Sequence, residues 1–187
     1  MAKLILVKYC KTCWNKENRL QGAVDIPLND EGVEEARKIS EELSQFDISA
    51  LYSGSAPCSV STANEIAAPH KVKVKEVSEL NELNYGLWQG LYMKDIKKRY
   101  KRQYSIWKTS PVSGCPPQGE AIGKAYDRAV SAVHKIIDHH KAKDVCIVSG
   151  SLILSLIKCN LRNIDLGDVW NVTLDKNFWE AIEINNG

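Results

Sequence analysis

The chain has 187 residues, a length that suits one domain with a sizeable core. A hydrophobic share of 44% and a charged share of 26% are ordinary for a globular protein. The net charge of +2 offers no bulk electrostatic argument for nucleic acid or membrane, and no apolar run approaches the roughly 20 residues needed to span a bilayer.

Leu4 to Lys8 is a short apolar run after a single basic residue. It reads as a first strand and not as a signal peptide, so a cytoplasmic protein is expected. Asn29 or Asp30 caps a helix running to about Phe46, with Val33, Ala36, Ile39 and Leu43 on one face. Ile48 to Ser53 is a second strand. Ser59 to Ala67 is helical, and Pro69 is expected to end it. Val72 to Val77 alternates with lysines, as a strand with one wet side does. Tyr92 to Tyr100 is a short basic helix. Glu120 to His140 is a long one, with Ala125, Ala129, Val133, Ile136 and Ile137 as its buried stripe. Val145 to Ser149 is an apolar strand, Leu152 to Leu161 a helix, and Asn171 to Leu174 with Phe178 to Ile184 a terminal hairpin.

Strands separated by such helices predict an α/β three-layer sandwich over residues 1–187: a mostly parallel sheet with helices on both faces. Ligands of such sheets sit beyond the carboxyl ends of the strands. Those ends fall at Lys8-Tyr9-Cys10, Ser53-Gly54-Ser55 and Ser149-Gly150-Ser151.

The run Leu4 to Asn15 resembles the opening of the histidine phosphatases (phosphoglycerate-mutase-like), where a strand enters Arg-His-Gly-Glu-Thr-x-Trp-Asn. Arg19-Leu20-Gln21-Gly22 and Asp25 to Gly32 resemble the family's next loop and helix start. Ala50-Leu51-Tyr52-Ser53, Thr62-Ala63, Leu80 to Leu91, Pro116 to Glu120 and Val145 to Ser149 follow in the family's order. The resemblance implies a histidine nucleophile, two arginines and a second histidine around the phosphate, and a glutamate proton donor. Neutral imidazole is a competent nucleophile, and a phosphoryl transition state needs preorganised cationic donors.

By that resemblance the nucleophile position holds Tyr9 and the arginine before it Lys8. The next two positions hold Cys10 and Lys11. The second arginine falls on Cys58 and the second histidine on Gly150. Glu82 alone survives among the catalytic positions. Thr12, Asn15, Gln21 and Gly22, which line the family's phosphate site, are present. The expected ligand set is therefore Lys8, Thr12, Asn15, Gln21, Gly22 and Glu82, with Lys11 adding charge. A phenol ionises near pH 10 and is a poor nucleophile, and burial raises it further.

Three readings follow. The leading one is a pseudoenzyme that binds a small anion or a partner. The second is a phosphatase of small phosphate esters using Cys10, Cys58 or Tyr9 as nucleophile and Glu82 as acid. The third is a thiol site: Cys10-x-x-Cys13 with Cys58 and Cys115 converging on zinc or an iron–sulfur cluster, or cycling as a redox pair. Otherwise no cofactor is expected.

Cys146 and Cys159 read as packing thiols. None of His70, His134, His139 and His140 falls in the pocket, and the last two suit a helix C-terminus as partly charged imidazoles. The basic run Lys94 to Arg102, with interleaved aromatics, suits an acidic partner or a nucleic-acid backbone but reads first as a solvated helix face, so neither a nucleic-acid nor a membrane partner is expected. Trp14, Trp88 and Trp107 are expected under the pocket rim. Trp170 and Trp179 are core or the edge of a homodimer.

Overall fold

In the computed structural model, which describes residues 2–175 and 178–184, five strands form one sheet. They are β1 (Ala2–Lys8), β2 (Ile48–Ser53), β3 (Val74–Glu76), β4 (Asp144–Ser149) and β5 (Trp179–Ile184). The order is β3-β2-β4-β1-β5, parallel except for β5, which runs antiparallel to β1. Alternation along β1 decides what each face packs against. Leu4 and Leu6 join a core with Val145, Ile147, Ile153 and Ala129, while Ile5 and Val7 join one with Ile39, Leu43, Ile66 and Val148. Helices α2 (Asp30–Leu43) and α3 (Pro57–His70) cover the second face. Helices α6 (Ile122–His139) and α7 (Ser151–Arg162) cover the first. The expected three-layer α/β architecture is present.

Three expectations need correction. Helix α3 does not end before Pro69 but continues to His70. Proline at 69 takes the amide away from the Glu65 carbonyl, and the Ser40 hydroxyl of α2 donates to that oxygen instead, at 2.7 Å. The terminal hairpin does not form: Leu166–Asn171 is a 3-10 turn, and β5 pairs with the open edge of β1, not with residues 171–174. The basic helix α4 (Met93–Arg99) is followed by a second, α5 (Lys101–Thr109), broken from it at Tyr100. The four-residue helix α1 (Cys13–Lys16) had no place in the sequence reading.

The tryptophans divide between packing and rim. Trp88 and Trp107 are buried edge to face at 5.6 Å, and Trp107 meets Trp170 at 4.2 Å. Trp179 is core, packed edge to face against Phe46, with its indole N–H donating to Glu42. Cys146 and Cys159 are buried as expected. Burial, with His139, Lys75 and Lys143 nearby, pushes His140 below the usual imidazole range, so a charged imidazole is disfavoured at that helix end. Its ring shares a hydrogen bond with the Tyr52 hydroxyl at 2.9 Å.

Candidate functional site

The carboxyl ends of β1 and β4 lie side by side, Lys8 opposite Ser149, and the Tyr9 amide donates to the Ser149 carbonyl at 3.0 Å. This register sets Tyr9 beside Ser149 in a cleft of about 350 Å³, whereas Gly150, the next residue, sits against the Glu82 carboxylate and does not line it. Lys8, Asn15, Gln21, Gly22, Glu82 and Tyr85 line the cleft, with Ser151, Val169 and Trp170 on the far wall. The third strand end does not take part. Gly54 donates to the Val148 carbonyl and the Ser55 amide to Asn81, which closes that end of the sheet.

Glu82 arrives on the loop after the 3-10 turn Ser78–Leu80 and is buried. One carboxylate oxygen accepts from the Leu83 amide at 2.7 Å, the other from the Leu152 amide at 3.0 Å. Leu152 lies in the first turn of α7, whose N-cap, Gly150, has no side chain to serve that end. Glu82 therefore caps α7 from a distant loop, placing negative charge at a helix N-terminus. The cap depends on the glycine: a Cβ on Gly150 would fall 2.1 Å from the Glu82 carboxylate oxygen. Burial raises the Glu82 carboxyl above its usual range. The amides of Leu83, Leu152 and Ile153 and the charge of Arg128 oppose the rise.

Arg128, on α6, holds the loop that carries Glu82. It donates to the carbonyls of Glu79 at 2.6 Å and Asn81 at 2.8 Å, and its fork meets the Glu120 carboxylate at 2.7 and 2.9 Å. Nothing in the sequence reading pointed to Arg128, because its partners are mostly backbone carbonyls 46 to 49 residues away in sequence.

On the other side of the cleft, Thr12 is the N-cap of α1 and forms a capping box with Asn15. Its buried hydroxyl donates to the Gln21 side-chain oxygen at 2.6 Å, and the Gln21 amide donates to the Cys58 sulfur at 3.4 Å. Gly22 follows at φ +69°, where a Cβ would lie 2.6 Å from the Tyr85 ring. The expected residues Lys8, Asn15, Gln21, Gly22 and Glu82 thus line one cleft, and Thr12 braces it from beneath.

Lys11 does not add charge to this cleft. It pairs with Glu31 and Glu35 of α2, at 2.5 and 2.7 Å, and those partners hold its ammonium charged. The sequence assigns no role to Arg19 beyond its place in the Arg19-Leu20-Gln21-Gly22 motif. Arg19 lines the cleft with its guanidinium committed to Glu17, the Gly90 carbonyl and the Tyr92 hydroxyl. Lys8 is different: no hydrogen bond or ion pair joins its side chain to another described residue.

Tyr9 is buried, and desolvation first, then its neighbours Glu82 and Cys58, push its phenol well above 10. Burial likewise raises Cys10 to about 12 and Cys58 to about 11. The expected gathering of Cys10, Cys13, Cys58 and Cys115 does not occur. Cys10 and Cys58 pack in the core under β1, and Cys13 and Cys115 are exposed. None of the four lines the cleft, and among the described residues no three His, Cys, Asp or Glu side chains are grouped to hold a metal ion. The reason is local: Cys10 still follows the sheet into the core, whereas Cys13 begins α1 and turns outward. No histidine lines the cleft either.

The sequence profile of the histidine phosphatase superfamily (branch 1) matches residues 4–187. Phosphoserine phosphatase 1 of Hydrogenobacter thermophilus is 26% identical over 98% of this chain and 87% of its own length. Phosphoglycerate mutase-like protein 4 of Arabidopsis thaliana is 33% identical over 83% of this chain and 69% of its own. The solved structure of Bacillus stearothermophilus YhfR superposes with a TM-score of 0.92 at 24% identity, covering all of this chain and 93% of that one, a likeness of fold. With the parallel sheet, the cleft at its strand ends and a profile match along nearly the whole sequence, the chain belongs to the histidine phosphatase superfamily.

Proposed function

We propose that this protein is a pseudophosphatase: it keeps the phosphate cleft of its superfamily and holds a small anionic ligand there without transferring a phosphoryl group. One observation carries the reading. The Glu82 carboxylate fills the space into which a side chain at Gly150 would grow, so the position that resemblance gives to the second histidine is occupied by the cap of α7.

The remaining catalytic positions argue the same way. Tyr9, in the nucleophile's place, is a desolvated phenol held protonated. Lys8 and Cys58 stand where the resemblance implies arginine forks, and neither offers bidentate donors. Removing one preorganised donor typically costs about 10²–10³ in rate. With the nucleophile and its cationic partners also gone, the expected turnover is no more than background. A cysteine nucleophile is disfavoured because burial keeps Cys10 and Cys58 as thiols, and the thiolate is the reactive species. Lys8, which no side chain among the described residues pairs, supplies the attraction for an anion at the cleft wall. One relative is named a phosphoserine phosphatase, which makes a phosphate ester the natural class to test.

The test is hydrolysis of p-nitrophenyl phosphate and phosphoserine by the purified chain, beside Tyr9→Phe, Cys10→Ser and Glu82→Gln. Phosphate release at the buffer rate in all four supports the reading. Turnover that Cys10→Ser or Tyr9→Phe abolishes would replace it with an altered-nucleophile phosphatase.

A further inference from the structure

The net charge of +2 conceals an asymmetry. Between Tyr92 and Thr109 the chain carries seven Lys and Arg and one acid, Asp95, a local charge of +6. The other eighteen basic and twenty-two acidic residues leave the rest of the chain at −4. The seven are Lys94, Lys97, Lys98 and Arg99 on α4, and Lys101, Arg102 and Lys108 on α5, and all are exposed. Among the described residues none of them enters an ion pair, whereas Lys11, Arg37 and Lys158 all do. Each helix is anchored by a single buried residue, Ile96 or Trp107, so packing gives no reason for so much positive charge. Its self-repulsion destabilises the fold unless a partner offsets it.

A second observation narrows the partner. Among the described residues three large hydrophobic side chains are exposed: Leu87 at 46%, Ile106 at 41% and Val112 at 58%. Ile106 lies on α5 one turn beyond Arg102, while Leu87 and Val112 flank the two helices in sequence. A dense set of unpaired basic side chains with an exposed apolar tip among them, Ile106, suits an anionic bilayer, where charge attracts and the apolar side chain enters the headgroup boundary. A surface for single-stranded nucleic acid instead needs open aromatic platforms. Here the aromatics are committed. Trp107 is buried against Trp88 and Trp170, Tyr104 lies beneath Lys97 at 5.8 Å, and Tyr92 beneath Arg19 at 4.3 Å.

We propose that the α4–α5 segment docks this protein peripherally onto an anionic lipid surface. The segment reaches the cleft, because Lys108 stands 4.4 Å over the ring of Trp170, which walls it. No helix of the described residues is long and apolar enough to cross a membrane, so the contact is superficial. The inference stands on charge and exposure and is independent of whether the cleft turns over phosphate.

The test is co-sedimentation of the full chain with vesicles of phosphatidylcholine alone and of phosphatidylcholine mixed with phosphatidylserine. The variants are Lys97→Gln/Lys98→Gln/Arg102→Gln together and Ile106→Ser alone, each checked for native circular dichroism. Expected are binding to the anionic vesicles only, about 100-fold weaker for the triple variant, several-fold weaker for Ile106→Ser, and weakened by salt. No binding to anionic vesicles, or binding that the triple variant leaves unchanged, overturns the proposal. An oligouridylate RNA bound more tightly than the vesicles, with Ile106→Ser silent, also overturns it and assigns the patch to a nucleic-acid backbone.

Discussion

The two sides of the cleft are held together by different means. On one, Thr12, Asn15 and Gln21 keep the residue types that their resemblance implies, and they satisfy one another through short hydrogen bonds that end on Cys58. On the other, Tyr9 and Gly150 depart from the family's types. There Glu82 turns inward and accepts from the Leu152 amide at the start of α7. The first side persists because its residues shape a loop whether or not chemistry occurs. The second holds because Gly150 leaves room for the Glu82 carboxylate, and the helix end behind it needs an acceptor. One cleft is thus held by hydrogen bonds within a loop on one side and by a borrowed helix cap on the other.

The comparison is broken most directly at Glu82. Glu82→Ala removes the acceptor for two buried amides and is expected to destabilise the fold by about 2–4 kcal/mol in urea unfolding. The sign of its pH dependence follows from burial. The folded carboxyl titrates above its ordinary 4.5, so the folded state binds the proton more tightly. This contribution to stability is greatest below 4.5 and is lost as pH rises toward the folded value. Glu82→Gln does not titrate, so its stability relative to the natural chain should improve as pH climbs from 4.5; a flat difference would mean that the carboxyl is not raised.

Gly150→Ala comes next, at about 1–3 kcal/mol, because the new methyl group must push the Glu82 carboxylate off the Leu152 amide. The double variant with Glu82→Ala should cost less than the sum of the two singles, since both disturb one contact. On the preserved side, Thr12→Val leaves the buried Gln21 oxygen without its donor, and about 1–2 kcal/mol should be lost. The smallest effect on stability belongs to Lys8→Gln, within about 0.5 kcal/mol. That variant should nevertheless bind inorganic phosphate more weakly by calorimetry; equal affinity would remove Lys8 from the ligand site.

Much of the fold was legible because its central strands are unbroken apolar runs and its long helices carry clear stripes, as with Ala125, Ala129, Val133 and Ile136 on α6. Helix α5 was not, since Trp107 is its one buried residue and leaves no periodicity to read. The end of α3 depended on a hydroxyl from another helix, and the position of β5 on the open edge of β1. Neither is a local property. For the site, the strand-end rule and the resemblance found Tyr9, Gly150 and Glu82. The inward turn of Glu82 could not be read, because it rests on the absence of a Cβ 68 residues away. The cysteines misled for the same reason: spacing suggests a thiol group, while burial and helix direction send Cys10 and Cys13 apart.

The central claim is that no side chain in this cleft accepts a phosphoryl group. Intact-protein mass spectrometry after incubation with excess p-nitrophenyl phosphate and acid quench tests it without relying on turnover. An unchanged mass at every time point is the predicted result. A phosphorylated species mapping to Tyr9, Cys10 or Cys58 would contradict it.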